Sequence, residues 1–133
     1  MSINLDMKFL IVDDNQAVRQ IVADILRSVK FHNFIFAEDG KIAKKKFYNE
    51  TVDCIILDWD MPVMNGLEFL DAIKGSDGPG EHEDIPVLML TAHCTKDDVI
   101  AAVQHGATNY VVKPFTPDTL IKKLEIILGE KIL

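Results

Sequence analysis

Short apolar runs alternate with helix-periodic segments along the chain. Residues 9–12 (FLIV), 34–37 (FIFA), 54–57 (CIIL), 87–90 (VLML) and 110–112 (YVV) are unbroken apolar stretches. Runs of this length without polar alternation predict strands buried on both faces. Between them, residues 16–29 place Val18, Ile21, Val22, Ile25, Leu26 and Val29 at helical spacing. Residues 40–48, 66–74, 96–105 and 116–128 predict four further helices. Thr116 is suited to cap the last of these, with Pro117 at its first position, and Gly106 to terminate the fourth. The chain thus holds five β-α units. Right-handed crossovers place helices on both faces of a parallel sheet. The expected fold class is α/β: a doubly wound five-stranded parallel sheet, order 2-1-3-4-5, of the flavodoxin-like kind.

Composition narrows the function classes. A chain of 133 residues is expected to be one domain, residues 1–133, with a core large enough to fold unaided. Its net charge of −7 argues against nucleic acid and anionic membrane as partners. Cys54 and Cys94 form no disulfide framework, and Cys54 sits inside an apolar run, as a small core residue would. The N-terminus lacks a signal-peptide pattern, and no apolar run approaches the ~20 residues that span a bilayer. A cytoplasmic monomer is expected. Residues 75–84 (GSDGPGEHED) are rich in glycine and acids and predict a mobile surface loop.

The candidate chemistry lies at the ends of the apolar runs. The first run ends in Asp13-Asp14, the third in Asp58, the fourth in Thr91 and the fifth in Lys113. In an open parallel sheet these carboxyl ends line the ligand crevice. Taken singly, Asp13, Asp14 or Asn15 would cap the first helix, Asp58 would form a turn, and Thr91 would begin a loop. Gathered together, three carboxylates repel unless a cation lies among them. The sequence supplies one lysine, and an all-oxygen ligand set favours Mg²⁺, or Mn²⁺, over zinc. A carboxylate, an ammonium, a hydroxyl and Mg²⁺ in one crevice are the parts of a phosphoryl-transfer site, with Asp58 on the central strand as nucleophile.

These residues carry a family resemblance. VDD at 12–14, ILDWDMPVMNG around Asp58, LTA at 90–92 and YVVKPF at 110–115 resemble the response-regulator receiver domain over nearly the whole chain. The phrases LDWDMP, MNGLE, VKPFT and AAVQHGA bring it nearest to the single-domain chemotaxis members. The resemblance implies that Asp58 is the phosphoacceptor. Asp13 and Asp14 would form the acidic metal pocket, with Asp60 lending its backbone carbonyl. Thr91 and the backbone amide of Ala92 would bind phosphoryl oxygens, Lys113 would neutralise them, and Thr91 and Tyr110 would change position in the switch. Trp59, His93 and a cis Lys113–Pro114 bond would border the site. An acid at position 60 departs from a common family pattern, and His93 stands where access of water can be gated.

The implied partners are a histidine kinase as phosphodonor and a target docking on the fourth helix, fifth strand and fifth helix. That target would be a flagellar motor switch or a phosphorelay protein, and a phosphatase would reset the state. Lys122 and Lys123 lie beside the apolar set of the last helix and are candidate contacts. With no effector domain after Leu133, output by docking rather than DNA binding is expected. Two alternatives use the same residues differently. A haloacid-dehalogenase-like phosphatase would use Asp58-Trp59-Asp60, although its motif belongs after the first strand. A flavodoxin-like nucleotide binder would need glycines in DDNQAV, which has none.

Overall fold

Every apolar run forms a strand and every periodic segment a helix in the computed structural model, which describes residues 3–75 and 84–132. Residues 76–83, most of the segment expected to be a mobile loop, lie outside the described residues. In chain order the elements are β1 (Lys8–Val12), α1 (Gln16–Ser28), β2 (Asn33–Ala37), α2 (Gly40–Asn49), β3 (Cys54–Asp58), α3 (Gly66–Lys74), β4 (Val87–Thr91), α4 (Lys96–Gln104), β5 (Asn109–Val112) and α5 (Pro117–Leu128). The strands form one sheet in the order β2-β1-β3-β4-β5, all pairs parallel.

The two-residue period of a strand divides the core. Leu10, Val12, Ile55, Leu57, Val87 and Met89 face one layer with Ala43 and Phe47 of α2, Phe69, Leu70 and Ile73 of α3, and Ala102 of α4. Phe9, Ile11, Cys54, Ile56, Leu88 and Leu90 face the other with α1 and α5. Full burial of each large apolar side chain contributes about 1.5–3 kcal/mol. Cys54 has no exposure, and burial, then the nearby Asp53 charge, pushes its thiol up to about 12, so it stays protonated and inert.

The strands run slightly longer than the apolar runs, because pairing continues through polar ends: Asp58 stands opposite Leu90 and Thr91 opposite Val112. Ile21 departs from expectation. It sits at the margin of the α1 stripe and is 51% exposed, while Val22, Ile25 and Leu26 are buried.

Each helix has a side-chain cap at its start. Asn15, Asp39, Asn65, Thr95 and Thr116 accept from first-turn amides, and Asn65–Glu68 and Thr95–Asp98 are complete capping boxes. Gly106 follows α4 at φ +112°, a left-handed turn that sends the chain into β5. Val63 is a costlier case, a β-branched residue at φ 70° and 74% exposed. Val63→Gly relieves that conformation and is expected to raise the urea midpoint, by about 1 kcal/mol in stability. A lowered midpoint would contradict it.

Candidate functional site

The sheet delivers polar groups to one place. Asp13 (1% exposed), Asp58 (5%) and Thr91 (2%) are the buried polar side chains among the described residues, and all three stand at strand ends. Asp13 follows β1, Asp58 closes β3, Thr91 closes β4, and Lys113 follows β5. A buried charge is tolerated only when paired. Here Lys113 Nζ donates to Asp58 Oδ1 at 2.9 Å and to Asp13 Oδ2 at 3.0 Å. Asp13 Oδ1 also accepts from the Asn15 amide at 2.9 Å. Asn15, not either aspartate, caps α1, which leaves Asp14 exposed at the mouth of the crevice.

Carboxylate oxygens of Asp13, Asp14 and Asp58 lie within 4.8 Å of one another. Three acids and one ammonium leave a surplus of negative charge. Burial and then Lys113 act in opposite directions on Asp58, and the charges of Asp13 and Asp14 add to burial. The net result raises its pKa to about 6. Burial would lower Lys113, but its hydrogen bonds to Asp58 and Asp13 outweigh it and hold the ammonium above its ordinary range. An all-oxygen set with this surplus fits a hard divalent cation such as Mg²⁺.

Gly66 fixes the backbone of the site. A Cβ there would meet the Asp58 carbonyl oxygen at 2.5 Å, and the Gly66 amide donates to Trp59 O at 2.9 Å. The start of α3 is thereby pressed against the end of β3, and only glycine permits that approach.

Not every candidate side chain turns into the crevice. Thr91 Oγ1 accepts from the His93 amide at 2.7 Å, so its hydroxyl is held by the β4–α4 loop. Asp60 points away from the acids and is exposed, with its Oδ2 2.8 Å from His93 Nε2. The Asp-x-Asp reading of a phosphatase therefore has only one of its two carboxylates in the crevice. His93 also stacks on Trp59, ring centroids 4.6 Å apart, so the two rings form a wall beside Asp58. The Asp60–His93–Trp59 arrangement is absent from any reading of the strand ends, and nothing in the spacing of 60 and 93 announces it. Ala92 is exposed beside Thr91. Tyr110 is half-buried at the start of β5, with Lys123 Nζ 4.9 Å from its ring centre. The Lys113–Pro114 bond is cis. No helix among the described residues is long and apolar enough to cross a membrane.

Comparison with known proteins gives this arrangement a context. The family model described as response regulator receiver domain matches residues 9–125. Chemotaxis protein CheY1 of Helicobacter pylori is 38% identical over 124 residues, covering 92% of this chain and 98% of that protein. Among solved structures, the chemotaxis response regulator CheY4 of Vibrio cholerae superposes with a TM-score of 0.83 at 35% identity, covering 92% of this chain and 98% of that one. A CheX-CheY-BeF3-Mg²⁺ complex from Borrelia burgdorferi contains a chain with a TM-score of 0.83 and 27% identity, covering 92% of this chain and 89% of that one.

Proposed function

The chain belongs to the response regulator receiver domain family, and from that premise we propose that it is a CheY-like phosphoacceptor switch of the cytoplasm, loaded by a histidine kinase. The observation that carries this reading is the shared hydrogen bonding of Lys113 to Asp13 and Asp58 in the crevice of three acids.

Above its raised pKa of about 6, Asp58 is ionised, and its basicity suits it as a nucleophile. A carboxylate oxygen of Asp58 attacks phosphorus, the phosphorus–nitrogen bond of a phosphohistidine breaks, and the imidazole leaves with the electron pair. Lys113 is already within hydrogen-bond reach of the attacking carboxylate and turns toward the incoming oxygens. Asp13, Asp14, Asp58 and the Asp60 carbonyl would hold Mg²⁺, which supplies charge neutralisation to the transferring group. The Ala92 amide, with Thr91, receives a phosphoryl oxygen.

Thr91 links this event to output. To reach the phosphoryl group its hydroxyl must release the His93 amide, now 2.7 Å away, and so free the loop that leads to α4. Tyr110 then occupies the space vacated on β5. Both movements bias the α4–β5–α5 face toward a target, with a flagellar motor switch the foremost candidate and a phosphorelay protein another. The Borrelia protein's complex with CheX, beryllium fluoride and magnesium supports a CheX-like protein as a further partner, and a phosphatase would reset the state.

Trp59, 9% exposed and stacked on His93 beside Asp58, reports on the site. Its fluorescence is expected to change on adding Mg²⁺ and again on adding acetyl phosphate, and mass spectrometry should find one phosphoryl group. Both phosphodonor signals should vanish in Asp58→Asn; their survival there would overturn the reading. Protons compete for the same carboxylate, so Mg²⁺ affinity should hold above pH 6 and weaken about tenfold per unit below it. Affinity that is flat between pH 4.5 and 7 would remove Asp58 from the ligand set.

A further inference from the structure

Helix α2 concentrates positive charge on an acidic protein. The chain carries a net charge of −7, yet the ten residues Gly40–Asn49 hold four lysines and no acid. Lys41, Lys44 and Lys45 are exposed, and Lys46 is half-buried. Lys41 and Lys45 lie one turn apart, where like charges oppose helix formation. The helix's own stability therefore gives no reason for the arrangement.

Beside this face runs a groove of about 310 Å³ lined by Arg19, Phe36, Ala37, Glu38, Ile42 and Lys46. Next to it, sharing Arg19 and Phe36, lies a second hollow of about 170 Å³. Phe36 and Ile42 give the groove apolar surface. Arg19 Nη1 donates to Asp13 O at 2.6 Å and Lys46 Nζ donates to Phe36 O at 2.5 Å, which sets two cations along it. Lys46 also covers a carbonyl of β2, an edge strand, so an arriving chain is discouraged from simply extending the sheet there.

We propose that this face docks an acidic segment of a partner protein, with carboxylates on Lys41, Lys44 and Lys45 and one bulky apolar side chain over Phe36 and Ile42. Charge complementarity selects the occupant, since the protein as a whole repels polyanions as extended as nucleic acid. The face goes beyond the proposed switch. It flanks β2 at one edge of the sheet, whereas the α4–β5–α5 face flanks β5 at the other. A partner held here is recruited in either phosphorylation state.

The probe is a fluorescein-labelled nine-residue peptide of eight glutamates around a central leucine, titrated with the full chain by fluorescence anisotropy. Saturable binding is expected, weakened by salt and at least tenfold weaker in K41E/K44E/K45E and more mildly in K41Q/K44Q/K45Q. The scattered variant K30E/K96E/K131E, of equal charge change, should bind as the parent does. Acetyl phosphate labelling of Asp58 should be the same in the parent and K41E/K44E/K45E, which separates failure of this docking from failure of the switch. Absence of saturable binding would overturn the proposal. So would an equal loss in the scattered variant, or tighter binding to phosphatidylserine vesicles or a ten-nucleotide DNA than to the peptide.

Discussion

Asp58→Asn should raise the stability of the metal-free protein at pH 8 while it abolishes phosphorylation. The gain comes from removing a buried carboxylate whose neighbours disfavour its charge. In the folded protein the Asp58 pKa stands at about 6, against an ordinary 3.8. The native state thus holds the proton more tightly than the unfolded chain. Stability from this group is present in full below the ordinary value and is lost as the pH rises through about 6. A displacement of this size corresponds to about 3 kcal/mol at alkaline pH. Asparagine keeps the shape and discards the charge. Urea midpoints of the two proteins should nearly coincide at pH 4 and separate by pH 7, with the variant the more stable. Millimolar Mg²⁺ should stabilise the parent and narrow the gap. A variant less stable than its parent at pH 8 would show that the carboxylate is not under electrostatic stress.

Lys113→Met should have the opposite sign and at least an equal size. Among the described residues its ammonium is the cation within hydrogen-bond distance of both Asp13 and Asp58, which are 1% and 5% exposed. Removing one partner of a buried ion pair costs about 3–5 kcal/mol, because the other charge stays behind. Here the residual charge is two carboxylates. The loss should shrink below pH 6, where Asp58 takes up a proton, and again in millimolar Mg²⁺. It should also be smaller in an Asp58→Asn background, giving a coupling energy between the two positions of about 1–3 kcal/mol. A loss that ignores pH, metal and background would reduce Lys113 to a packing residue.

The fold was legible because each strand is an apolar run too short and too uniform for a helix, with a capped periodic segment after it. The convergence of Asp13, Asp14, Asp58 and Lys113 was legible for a related reason. In a parallel sheet, the residue after each run must emerge at the same edge. What the pattern does not carry is side-chain direction past the strand end. Asp60 and His93 come from different loops and meet only because those loops fold over Trp59. The hydroxyl of Thr91 has a nearby backbone amide to satisfy, so it stays with its loop. Ile21 has helical spacing but lies at the stripe's margin, where periodicity alone does not separate buried from exposed. Val63 in a left-handed conformation breaks a local preference and is invisible to any propensity-based reading.

The hydrogen bond from Lys113 to Asp13 joins positions 100 residues apart, and the one to Asp58 spans 55. Loops of that span close late, since chain entropy must be surrendered before the contacts form. Assembly of the crevice is thereby tied to the C-terminal part of the chain. A product truncated before residue 113 would lack that amine and also α5, whose Leu120, Ile121 and Leu124 complete one core layer, so the crevice of acids would not assemble.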